Sequence, residues 1–111
     1  MVAEQIHQRL LRDPLPHQLG ALAADLARIS SFSDNPANHD AVASLLEEGK
    51  FFAEWIAPAA PPDTQTVLAE VQHSLACWER AWHRGESVPA MRDEAVRLSN
   101  VLLEMAGFVK A

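Results

Sequence analysis

"GKFFAEWIAPAAPPD", residues 49–63, holds the end of one helix, a turn and the start of another. Gly49, Phe52 and Ile56 recur at the alternating three- and four-residue spacing that lines side chains along one seam of an α-helix. Pro58 cannot continue that helix, because its ring removes a donor and clashes with the preceding turn. Pro61, Pro62 and Asp63 suit a first helical turn, where no intrahelical donor is missed and an acid meets the positive end of the dipole. Two helices joined by so short a connection are expected to lie side by side and antiparallel.

The same spacing extends in both directions. Upstream, the seam runs back through Leu45 and Val42 and predicts a helix over 36–57, with Asn35 as its N-cap and Pro36 as its first residue. Leu46, Phe51 and Trp55 lie beside that seam. Downstream, Leu68, Val71, Leu75, Trp78 and Trp82 predict a helix over 62–84, closed by Gly85. Leu15, Leu19, Leu22, Leu26 and Ile29 predict one over 15–31, which Asp13 is placed to cap. Met91, Ala95, Leu98, Leu102 and Met105 predict another over 88–106, with Ser87 as cap and Gly107 as a left-handed stop that folds Phe108 back toward Leu103. Val2, Ile6 and Leu10 give a short helix over 2–12, stable only when docked.

The expected fold is therefore all-α, one domain over 1–111. An antiparallel up-down-up-down four-helix bundle (13–111) carries an additional short N-terminal helix (1–12). Folding 62–84 back on its neighbours about the two turns sets Trp78 level with Ala41 and Val42 on one side and with Glu94 and Ala95 on the other. Large against small is what a dense core needs. The same reflection sets Gly49 level with Val71, where a missing side chain would let two helices approach.

Composition agrees with this class. The chain is 49% hydrophobic, has no Tyr, and is rich in Ala and Leu, which favour helix. A length of 111 residues suits one domain with a real core. The net charge of −6, with cations scattered among acids as in "WERAWHR", excludes the basic stripe that a nucleic-acid or anionic-membrane binder needs. Cys77 is the only cysteine, so no intrachain disulfide forms, which fits a reducing cytoplasm. No basic stretch followed by an apolar core opens the chain, and no window approaches 18 apolar residues, so neither a signal peptide nor a membrane span is expected.

Residues with chemical potential are few. "EVQH" sets Glu70 and His73 three apart on one helix face, as di-iron bundles do, but such bundles use two copies and aim them inward. Here Val71 and Leu75 mark the seam, and Glu70 and His73 lie off it. His39 and Asp40 open a helix, where Asp stabilises the dipole, and no nucleophile accompanies them. His83 and Arg84 read as cations at a helix C-terminus. Cys77, flanked by Ala76 and Trp78, is expected to be a buried or half-buried structural thiol. No cofactor or metal site is assigned.

"RDPLPH", Arg12 to His17, has an Arg-x4-His pattern. In that pair, and in overall size, the chain resembles the helical HEPN-type ribonucleases, and the resemblance implies an active site at Arg12 and His17. Pro14 and Pro16 fall inside this copy, whereas the family's motif sits on continuous helix. A metal-binding or ribonuclease-like bundle enzyme is thus the alternative expectation.

"GKFFAEWIAP" remains richer than one seam requires. Lys50 and Glu54 are expected to face water. Phe51 and Trp55 stand one turn apart and form a second aromatic stripe. That stripe can widen the core, receive the first helix or contact a partner, and exposed aromatics favour an interface. The leading expectation is a small cytoplasmic interaction or scaffolding module without catalysis of its own, self-associating as a homodimer or binding another protein through Phe51 and Trp55, with no nucleic acid or membrane as partner.

Overall fold

The computed structural model describes residues 2–86, 88 and 90–108, and all regular structure among them is helical. Five α-helices follow in order: α1 (Val2–Arg12), α2 (Leu15–Phe32), α3 (His39–Ile56), α4 (Pro62–His83) and α5 (Met91–Ala106). None is long and apolar enough to cross a membrane.

The breaks between helices have local causes. Asp13 was expected to cap α2 with its side chain; instead Pro14 occupies the N-cap, without a side-chain hydrogen bond. Gln18 Nε2 donates to the Asp13 carbonyl at 2.8 Å, so Asp13 contributes through its backbone. Asn35 does cap, its Oδ1 accepting from Ala37 N at 3.0 Å, but the turn it opens is a 3₁₀ turn (Pro36–Asn38), and α3 begins only at His39. A second 3₁₀ turn, Ala57–Ala59, follows Ile56. Gly107 adopts φ 82° and Phe108 N donates to the Leu103 carbonyl at 3.0 Å, the expected left-handed stop. The capping role given to Ser87 and the packing of the Val2 side chain lie outside the described residues and side chains.

The core runs through all five helices, from Leu10 of α1 to Leu102 of α5. On α3 Val42, Leu46, Gly49, Phe52, Ala53 and Ile56 are buried, so of the expected Val42–Leu45–Gly49–Phe52–Ile56 seam only Leu45 departs, half-buried, while Leu46 and Ala53 widen the buried stripe. The cause is that α3 has partners on two sides, α2 and α4, and buries a stripe wider than two positions. Met105, expected on the α5 seam, is 38% exposed at the helix end. Ala41 is exposed and so does not face the buried Trp78; Ala95 is fully buried.

Helix pairing is uneven. α2 makes its most extensive contact with α5 and packs on α3 with its other side; α3 also packs on α4. α4 and α5 touch only sparingly despite their short connection, because α5 crosses to α2. Ser99 Oγ of α5 donates to the Ala23 carbonyl at 2.8 Å, and Arg92 Nε donates to the Ser30 carbonyl at 3.3 Å. Helix packing of this kind is compatible with a bundle, flattened to 37 × 35 × 19 Å. Gly49 lies where three helices meet. A Cβ there would stand 3.0 Å from Leu75 Cδ1 and 3.8 Å from Leu22 Cδ1, so the close approach is against Leu75, one turn beyond the expected Val71.

Candidate functional site: an apolar groove between α1 and α3

One face of α3 carries Ser44, Glu47, Glu48, Phe51, Phe52 and Trp55, at the spacing that keeps side chains in register along a helix. Together with Ile6 of α1 they line a groove of about 300 Å³. Phe52 forms its buried wall, Trp55 is half-buried, and Phe51 stands at the mouth, 39% exposed. Glu47 and Glu48 make an acidic lip.

Phe51 and Trp55, paired in the sequence, have different surroundings. Trp55 packs on the core and takes the ring of His7 on its face, with centroids 4.2 Å apart and planes 13° from parallel. This contact docks α1 against α3. Phe51 stacks on Trp55 at 5.5 Å and 15°, so Phe51, Trp55 and His7 form a continuous three-ring stack from the groove to α1. Lys50, expected in water, is half-buried and pairs with Glu79 of α4.

The α2 residue in contact with the lip escaped the sequence reading. Asp25 is 2% exposed, and its Oδ1 accepts from Arg28 Nη1 at 3.1 Å. Its Oδ2 is buried without a hydrogen-bond partner. Burial pushes its pKa up to about 8, and the neighbouring Glu48 carboxyl raises it further than Arg28 lowers it. At neutral pH the buried Asp25–Glu48 pair therefore retains a proton. The signal was available: Leu22, Asp25 and Ile29 share a three-four spacing, so an acid sits in phase with core leucines.

The other candidates are dispersed. Glu70 and His73 are exposed; Glu70 Oε1 accepts from Arg97 Nη2 at 2.5 Å, which ties α4 to α5. Arg97 also holds Glu94, whose pKa is lowered by that hydrogen bond. His73 Nε2 lies 3.8 Å from Cys77 Sγ. Cys77 is exposed, which corrects the expected buried thiol: it follows the solvent side of α4, one residue before Trp78. His39 Nδ1 is 3.6 Å from Asp40 Oδ1, and its ring stacks on Trp82 at 5.1 Å. Trp82 Nε1 donates to the His39 carbonyl at 3.0 Å, fixing the start of α3 to the end of α4. Arg12 ends α1 and His17 lies in the first turn of α2, so the Arg-x4-His pattern is divided between two helices. Among the described residues, no group of three or more His, Cys, Asp or Glu side chains is arranged to hold a metal ion.

Comparison with protein-family models, with curated proteins and with solved structures finds no significant match.

Proposed function

We propose that this chain is a small cytoplasmic interaction module without catalysis of its own, whose helices α2–α5 run alternately up and down, and that it self-associates as a homodimer through the groove at Phe51 and Trp55. The observation that carries this is the exposure of Phe51 at the mouth of an apolar groove. An aromatic ring held by stacking is already ordered, so covering it loses little rotamer entropy and removes apolar surface from water. Aromatic residues in such positions are the usual anchors of protein interfaces. The half-burial of Trp55 under His7 is consistent with Phe51 making most of the partner contact, with Trp55 supporting it from below while also holding α1.

Phe51→Glu is the discriminating variant, because it places a charge at the mouth without touching the buried wall. Light scattering should give a dimer mass for the parent chain and a monomer mass for Phe51→Glu, with unchanged helical circular dichroism. Loss of the helical signal would make Phe51 a core residue and defeat the proposal.

A further inference from the structure

Ion pairing is extensive and leaves a pattern of unused charges. Arg28, Lys50, Arg84, Arg92 and Arg97 each hold a carboxylate. Among the described residues Arg9, Arg12 and Arg80 hold none, and the first two belong to the last turn of α1. Glu47 and Glu48, at the lip of the groove, likewise have no basic partner among the described residues, although they lie on the element α1 packs against. The end of α1 also exposes Leu11, at 46%. Leu11 lies one helical turn beyond His7, so it shares the flank of α1 that carries the three-ring stack. An apolar knob beside a cation that holds no carboxylate among the described residues is the complement of an apolar groove with an acidic lip.

We infer that the groove is filled by α1 of a second copy of this chain, with Leu11 entering beside Phe51 and Arg12 meeting Glu47 across a two-fold axis. This rests on the self-association proposed above and names its geometry. Because Ile6 of α1 borders the groove of its own chain, knob and groove lie at one edge of the molecule. A two-fold axis at that edge lets each copy give and receive the same contact, as an isologous interface requires. A stable dimer covers about 800 Å² on each partner, more than a groove of this size offers by itself, so the outer face of α1 is needed to complete it. The apolar contact supplies affinity, and the charges set orientation and suppress wrong registers.

Sedimentation equilibrium on the full chain tests this with three variants: Arg12→Glu, Glu47→Arg and the two combined. Arg12 and Glu47 are exposed and make no ion pair among the described residues, so folding should survive, and circular dichroism checks it. Each single reversal should weaken dimerisation about tenfold or more, and the double reversal should recover it to within a few-fold. A parent chain that is monomeric throughout defeats both self-association and this geometry, and leaves the groove to another protein. A dimer broken by Phe51→Glu but indifferent to both reversals keeps the interface and overturns α1 as its occupant. Weakening by the single reversals without recovery in the double variant also overturns the Arg12–Glu47 contact.

Discussion

Replacing Asp25 by Asn should change how stability depends on pH, and the sign follows from the burial of that carboxyl. An unfolded Asp titrates near 3.8, whereas in the folded chain this one titrates at about 8. Between those values the folded protein holds a proton that the unfolded chain has released. Raising the pH therefore favours unfolding. The contribution of Asp25 is fully present below the unfolded value of 3.8 and is lost as pH rises through about 8. One pKa unit corresponds to about 1.4 kcal/mol, so the full gap sets a ceiling of about 6 kcal/mol. Water penetration and side-chain relaxation reduce this, and a loss on the order of 3 kcal/mol between about pH 5 and pH 8 is expected. That is a large share of the stability of a small domain. Asn keeps the shape and accepts from Arg28 through its oxygen, but it does not titrate. Urea unfolding followed by circular dichroism, at one fixed protein concentration, should show a falling stability for the parent and a flat one for Asp25→Asn. The variant should be the more stable of the two at about pH 8. Glu94 acts in the opposite sense and only at more acid pH, since its pKa is lowered, so it does not confuse the window. Equal slopes in the two proteins, or a flat parent, would refute the reasoning.

Two other substitutions probe the helix contacts. Gly49→Val should cost about 2 kcal/mol, because a branched side chain must displace Leu75 and Leu22, whereas Gly49→Ala should stay within about 1 kcal/mol as helix propensity offsets the shift of a flexible leucine tip; equal effects of the two in thermal unfolding would contradict the close approach. Trp82→Phe retains an aromatic ring for His39 but removes the donor to the His39 carbonyl, and should cost about 1 kcal/mol; hydrogen exchange at the start of α3 should quicken, and unchanged protection there would show that the bond does not hold the helix.

Much of the fold was legible because Pro and Gly punctuate it. Pro14, Pro58 and Gly107 act through their own backbone restrictions, and the helices end where those restrictions apply. The helix-forming spacing also carried the α3 seam apart from Leu45: Leu46 is fully buried in its place because burial on two sides depends on neighbours that spacing cannot express. Connection length suggested α4 beside α5, yet side-chain fit with α2 decides where α5 lies. The stripe at Phe51 and Trp55 was visible as surplus apolar surface, but its division was not, since His7 lies on another helix. The core phase of Asp25 is visible in the spacing of α2, but the neighbouring Glu48 lies on another helix and is not.

The long reach of the α2–α5 pairing has a consequence for synthesis. Ala23 and Ser30 receive their α5 partners from residues 76 and 62 positions further along the chain. Phe108, which lies against Gly20, comes later still. As the chain leaves the ribosome, α2 can pair with α3, and α3 with α4, while the opposite side of α2 stays uncovered until residues 91–106 have emerged. Nascent chains arrested before that point should bind a chaperone or aggregate, and completion of α5 should release them.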